Sequence, residues 1–257
     1  MRIRRQAKRV GIFSQVITYS SEDLPEYVRS SPLFAFKRGG GYWAWKPYII
    51  QKTLEICSEG DVVYYVDAGC ALNRDSKEWD FFQEQMQTHN AIFFQYRSDY
   101  DYPGWMEFCK TKESCNPKVK YWTKPSVLAY FKDYFGDEQF MDYNKIWGGA
   151  CIIKKHAGSH VLDEWYRLML YEPGLFMDPY GADLEHLPLT FNCHRHDQSV
   201  ITPLIFHYKE RENILVIPET AESGKKTAAI VADRFRLGKM AFRDYLKYKI
   251  YTLVHHG

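Results

Sequence analysis

No apolar run in this chain approaches the roughly 18 residues that a membrane-crossing helix needs, so the sequence predicts no helical span. The N-terminus lacks the apolar stretch of a secretory signal. The six cysteines form no Cys-x-x-Cys pair and show no zinc-ligand spacing. Several lie in apolar runs, as Cys151 does in Ala150-Cys151-Ile152-Ile153, and read as small buried hydrophobes. Only Cys109 and Cys115, in a polar stretch, are placed to pair. Together these absences point to a reducing cytoplasm. The net charge of +2 is too small for a polyanion binder, and no nucleic-acid partner is expected.

What is present begins with size and aromatic content. A chain of 257 residues fits one large α/β domain, and 17% aromatic residues suit flat, hydroxyl-bearing ligands, which stack on rings and bond at their edges. A Tyr-rich core and surface is the competing reading. Basic residues gather at the ends: Arg2, Arg4, Arg5, Lys8 and Arg9, then Arg234, Arg236, Lys239, Arg243, Lys247 and Lys249. Basic ends interleaved with apolar residues suit peripheral contact with the inner face of an anionic membrane. Plain solvation explains them as well.

Alternating β and α segments without repeats predict one α/β domain: a Rossmann-type open, mostly parallel sheet flanked by helices. Arg9 to Ser14 reads as a first strand with Ser14 at its exit, and residues 21–26 begin a short helix. Helical spacing marks residues 48–56, 79–88, 125–131, 162–170 and 199–206. Val62 to Val66 is a continuous apolar run of the kind buried on both faces of a parallel sheet. Residues 91–94, 145–153 and 214–217 read as further strands, and residues 96–125 as a surface excursion. The expected division is a nucleotide-binding half at about 9–100, an acceptor and catalytic half at about 101–218, and a basic aromatic tail at 219–257.

Four stretches carry chemistry. Asp67 ends the run Val62–Val66, where a carboxylate faces the ligand crevice of an open α/β sheet and meets ribose hydroxyls or a divalent cation. A turn or helix-capping Asp is the alternative. Gly39-Gly40-Gly41 would let backbone amides approach a phosphate, with Arg38 and Lys46 as cations and Trp43 beside them. Trp147-Gly148-Gly149 puts small residues where a bulky group must lie close to the sheet, or else marks a packing bulge. In His194-Arg195-His196-Asp197-Gln198-Ser199, the two histidines would align on a strand as a metal pair. Asp197 and Gln198 fit sugar recognition better, since the carboxylate holds hydroxyls and the amide both donates and accepts.

Taken together, Gly39 to Pro47, Tyr64-Tyr65-Val66-Asp67-Ala68-Gly69-Cys70 and His194 to Ser199 resemble, in order, the motifs of bacterial and viral capsule or lipopolysaccharide glycosyltransferases of the GT-A fold. The resemblance implies transfer of a hexose, galactose or glucose, from a UDP-linked donor to a saccharide or glycolipid acceptor during surface polysaccharide synthesis. Retention of configuration is favoured by the amide at Gln198, a poor general base; if Asp197 is instead the base that deprotonates the acceptor, the enzyme inverts. Catalytic roles fall on Asp197, Gln198 and His196. Donor contacts fall on Ser14, Arg38, Trp43, Lys46, Asp67 and Gly69, and acceptor contacts on Trp147, Gly148, Gly149, His194 and Arg195. Asp67 matches the first acid of the Asp-x-Asp motif that holds Mn²⁺ or Mg²⁺, but Gly69 replaces the second acid, usually the main ligand. The late His-x-x-Gly-x-x-Lys-Pro-Trp motif of one such group is absent. Loss of the second acid motivates an alternative, a catalytically silent nucleotide- or glycan-binding member of the fold. A His/Asp metal hydrolase is a third reading.

Overall fold

A computed structural model describes residues 2–232 apart from 103, 104, 157, 158 and 226. The basic stretch from Arg234 onward lies outside the described residues. The chain forms α1 (Arg2–Val10), α2 (Lys46–Glu55), β1 (Val62–Val66), β2 (Cys70–Leu72), α3 (Glu78–Thr88) and β3 (Ala91–Gln95). It continues through α4 (Pro125–Phe135), β4 (Ile146–Lys154), α5 (His160–Tyr171), α6 (Asp197–Tyr208), β5 (Ile214–Pro218) and β6 (Ile230–Ala232). Local chemistry sets several boundaries. Pro125 opens α4, where its missing N–H costs nothing, and Gly136 closes it at φ 66°. The Ser76 hydroxyl accepts the Glu78 N–H at 3.2 Å, and Glu78 and Asp80 suit the positive end of α3.

The main sheet runs β1-β4-β3-β5, and β2 and β6 form a separate pair. β4 is antiparallel to both β1 and β3, while β3 and β5 are parallel. Hence β1, β3 and β5 point one way and β4 runs against them. This corrects the expected mostly parallel sheet: it is mixed, and β3–β5 is its one parallel pair among the described residues. The reason is the excursion after β3, which returns at the carboxyl end of that strand. There the Tyr96 N–H bonds the Lys145 carbonyl at 3.1 Å, so β4 must run back along its neighbours.

α2, α4, α5 and α6 pack on one face of the sheet, around Phe93, Cys151 and Ile153. α3 and aromatic residues of the 96–122 segment cover the other, around Ile92, Phe94 and Ile152. β4 comes from the proposed acceptor half yet lies between β1 and β3 of the other half, so the two halves share one sheet.

Three expectations fail locally. Residues 9–14 are not a strand: α1 runs through Val10, Gly11 turns the chain at φ 84°, and residues 12–19 are irregular. β1 is therefore a half-buried edge strand rather than one enclosed on both faces. A cavity of about 1300 Å³ separates its open edge from residues 12–21. Residues 219–232 are also no tail, since β6 pairs with β2 and the Glu219 N–H bonds the Gln95 carbonyl at 2.8 Å. Cys109 and Cys115, the two cysteines placed to pair, form a disulfide. No helix among the described residues is long and apolar enough to cross a membrane.

Candidate functional site

The carboxyl end of β1, the first half of β4 and the start of α6 meet at one end of the sheet. The Asp67 N–H bonds the Gly149 carbonyl at 2.8 Å, which joins the turn after β1 to β4. The Ile146 N–H donates to the Thr202 hydroxyl at 2.9 Å, and the Ser199 hydroxyl donates to the Trp122 carbonyl at 3.0 Å, so α6 is pinned with Asp197 facing β4. As first residue of α6, Asp197 also sits at the positive end of that helix.

Lys46, from the start of α2, fills the space between these elements. It is 2% exposed, so its ammonium must be satisfied from within. It donates to Asp197 Oδ2 at 2.6 Å and to the Gly148 carbonyl at 2.7 Å, and Asp67 Oδ1 lies 3.6 Å away. The Tyr65 hydroxyl donates to the same Asp67 oxygen. The Asp67 side chain is 27% exposed, against 5% for Asp197, so the cluster opens to solvent on the Asp67 side. Burial pushes the Asp197 carboxyl up to about 6, against the pull of Lys46. Burial also opposes charge on Lys46, but Asp197 and Asp67 outweigh it and hold the ammonium above its usual range. Tyr65 is driven well above the phenol range by burial and then by Asp67.

The two glycines of β4 serve different neighbours. A Cβ at Gly148 would lie 2.8 Å from Asp197 Oδ2, 3.1 Å from Gln198 Cγ and 3.3 Å from Lys46 Nζ, so the cluster can close only over a glycine. At Gly149 the Cβ would overlap the indole of Trp147. Trp147 is buried, and its Nε1 donates to Glu222 at 3.2 Å. It is a packing residue, not a surface offered to a saccharide, which corrects the acceptor role expected of Trp147 and Gly149. Gln198 is half-buried, and its Oε1 is enclosed without a partner.

Lys46, Asp67, Gly148, Asp197 and Gln198 thus come together from four separate stretches. The other expected residues form a rim or lie apart. His196 is held at φ 51°, stacks on Tyr42 at 4.7 Å and approaches Trp43 at 5.7 Å. Its Nδ1 donates to the Phe176 carbonyl at 2.8 Å, while Nε2 lies 3.8 Å from Asp178. Arg38, half-exposed, also bonds Asp178, at 3.1 Å. His194 is buried: Nδ1 accepts the Lys124 N–H at 3.3 Å, which leaves Nε2–H to donate to the Leu175 carbonyl at 2.9 Å. With rings fixed by backbone groups, the histidines form no metal pair, and burial lowers both pKa values, to about 4 for His196. Arg195 turns away, its guanidinium 4.7 Å over Trp122. Ser14 lies in the wall of the 1300 Å³ cavity. Gly69 is exposed, and a side chain there would meet nothing within 4 Å, so packing does not forbid an acid.

Two expected roles change. The glycine triplet offers no amide cradle, because the Gly40, Gly41 and Tyr42 N–H groups bond the Lys37, Phe36 and Arg38 carbonyls. The glycines serve instead for positive φ and for the close approach of Trp43 and Phe34. Lys46 is committed to two carboxylates and a carbonyl rather than presented to a phosphate. For the same reason the residues do not fit Mn²⁺ or Mg²⁺: the ammonium already lies between the two acids where such an ion would bind. Among the described residues no group of three His, Cys, Asp or Glu side chains could hold a metal.

Sequence reading missed Tyr65 and Asp178. Tyr65 was within reach, since on a strand it shares a side with Asp67 two residues on. Asp178 sits in a long irregular connection and carries no sequence signal. No family model, curated protein or solved structure matches this chain.

Proposed function

We propose that the chain is a glycosyltransferase that moves a hexose from a nucleotide diphosphate sugar, UDP-linked, to a saccharide or glycolipid hydroxyl. The supporting observation is the convergence of Lys46, Asp67, Gly148, Asp197 and Gln198 at the carboxyl ends of sheet strands, where open α/β sheets bind ligands. The adjoining cavity has room for a nucleotide against the β1 edge, with Ser14 in its wall. Arg38 at the rim is the cation for the diphosphate, and Lys46 orders the two acids. Asp67, on the open side, accepts ribose hydroxyls. Asp197 positions the donor sugar, and the unpartnered Gln198 Oε1 lies ready for a ligand donor or for the positive charge that develops at the anomeric carbon. The reaction retains configuration and needs no divalent ion. The exposed Arg4, Arg5, Lys8 and Arg9 of α1 face an anionic membrane surface, where a glycolipid acceptor would lie.

The test is hydrolysis or transfer of UDP-hexose by the purified protein, with the product anomer read by NMR. Asp197→Asn and Gln198→Ala should each lower the rate at least 100-fold with the fold intact. Near-wild-type rates in both would remove the site, and an inverted product would remove the retaining mechanism. One observation favours a silent nucleotide- or glycan-binding protein instead: Lys46 donates to Asp197 and to the Gly148 carbonyl and faces Asp67, so its charge is turned to its own neighbours rather than to a ligand. That reading predicts ligand binding with no donor hydrolysis at all.

A further inference from the structure

β1 is an edge of the main sheet, and its open side carries unpaired backbone groups. Its pairs with β4 run from Val62↔Lys154 to Val66↔Ala150. The Asp67 N–H bonds the Gly149 carbonyl, and the Lys155 N–H bonds the Asp61 carbonyl. Hydrogen-bonded pairs alternate along an antiparallel ladder, so Asp61, Val63, Tyr65 and Asp67 turn their backbone groups to β4. Val62, Tyr64 and Val66 therefore aim their N–H and C=O groups away from the sheet, at the cavity. No protein group bonds them among the described residues.

Residues 12–19 form the opposite wall of that cavity and show the same lack. None of their backbone groups is bonded among the described residues. The anchors of the stretch lie near its two ends. Gly11 turns the chain out of α1 at φ 84°, and the Ser20 hydroxyl caps the next turn by accepting the Glu22 N–H at 3.3 Å. Phe13 packs edge-on against Tyr64 at 5.2 Å and Trp79 at 5.7 Å. The Tyr19 and Thr53 hydroxyls are 2.9 Å apart. Thr53 lies about two turns of α2 beyond Lys46, so Tyr19 is tied down toward the amino half of β1. Between these anchors Ser14, Gln15, Ile17 and Thr18 are exposed. Yet Val16-Ile17-Thr18-Tyr19 is a β-branched and aromatic run, suited to a pleated, half-buried place. Phe13 to Tyr19 spans roughly 20 Å when extended, against roughly 17 Å for β1, so the lengths match.

Two such walls limit what lies between them. A hydrocarbon chain would leave the N–H and C=O groups without partners, each at a cost. A nucleotide is polar enough, but ligand pockets commonly measure about 300–1000 Å³, and this cavity of about 1300 Å³ is larger. It runs the length of β1, from Gly60 at one end to Ala68 beside Asp67 at the other. We propose that residues 16–19 are a strap that closes on the amino half of β1 when a nucleotide fills the half beside Asp67. The closed strap is a fifth strand of the main sheet, bonded to Val62 and Tyr64. Closure pairs both rows of backbone groups, covers Ile17 and removes an open sheet edge. The inference rests on the nucleotide reading above for its trigger.

The test is amide hydrogen exchange, read by NMR on the intact protein with and without saturating UDP. Without ligand, Val62 and Tyr64 should exchange as unpaired amides, while Ile152 inside the sheet stays protected. UDP should slow exchange at Val62, the amide farther from Asp67, at least tenfold. Val16→Pro and Ile17→Pro remove donors at neighbouring positions, which face opposite sides of a strand. At least one of them should abolish the protection of Val62 and weaken UDP binding at least threefold, with Ile152 unchanged. Full protection of Val62 without UDP, or UDP binding that leaves Val62 fast, would overturn the strap. Protection that survives in both proline variants would also overturn it, because the nucleotide itself would be the source. UDP that binds while Val62 stays fast leaves the transferase reading standing. If UDP does not bind at all, the nucleotide reading falls and takes the trigger of the strap with it.

Discussion

A methyl group at position 148 would press on Asp197, Gln198 and Lys46 at once, at 2.8, 3.1 and 3.3 Å. Neither β4 nor the start of α6 can yield easily, since the Ile146–Thr202 hydrogen bond ties them together. Gly148→Ala should therefore cost about 1–3 kcal/mol of stability, the usual range for overpacking. It should also abolish UDP-hexose turnover in the protein that still folds, as read by a urea melt and a hydrolysis assay on one preparation. Wild-type turnover in Gly148→Ala would show that the closed cluster is not the working site. Asp197 sets the pH response. Its carboxyl is raised to about 6 by burial, so the ion pair with Lys46 forms only as pH rises through that value. The kcat/KM profile should climb with an acid limb near 6, and Asp197→Asn should abolish that limb along with most of the rate. On this group alone stability runs the opposite way. The folded pKa lies above the unfolded value of about 3.9, so the folded chain holds the proton more tightly and loses stability as pH rises from about 4 to about 6.

The strands differ in how firmly they are held, and mutation reads that difference. Ile152 on β4 is 1% exposed and lies between two paired neighbours. Val63 on β1 is half-buried on an edge beside the cavity. Ile152→Ala should cost about 2–5 kcal/mol, and Val63→Ala about 1 kcal/mol. Equal losses in urea melts would mean that another strand covers β1. The helices were legible where apolar residues recur at helical spacing, as Leu162, Trp165, Leu168 and Met169 do on α5. Val10-Gly11-Ile12-Phe13 misled because so short an apolar run has no period to separate helix from strand. The β2–β6 pair could not be seen at all, because it joins two short segments that lie far apart in the chain. Likewise an apolar run ending on an acid pointed to Asp67, and a dense polar run pointed to Asp197. The contact that joins Lys46 to Asp197 across 151 residues left no trace in either motif.

Across the whole molecule, chemistry gathers at one end of the sheet. Asp67 follows β1, Tyr96 follows β3, Glu219 follows β5, and Lys145 precedes and Gly148 lies in the first part of β4, which runs the other way. Reversal of β4 puts its glycines rather than its far end beside Asp67. The mixed order of the sheet, which its apolar runs alone did not reveal, is thus what assembles the cluster. On the proposed transferase reading, the buried ammonium between two acids takes the place of a divalent ion. Thermal unfolding with UDP, GDP, CMP and TDP, each with and without Mn²⁺, tests both claims together. A ligand at 100 times its Kd stabilises by about 2.7 kcal/mol, which for a chain of this size raises Tm by several degrees. The account predicts such a shift with UDP, the same size with Mn²⁺ or with chelator, and its loss in Asp67→Ala. A shift that requires Mn²⁺ would contradict the role given to Lys46, and no shift with any nucleotide would contradict the site itself.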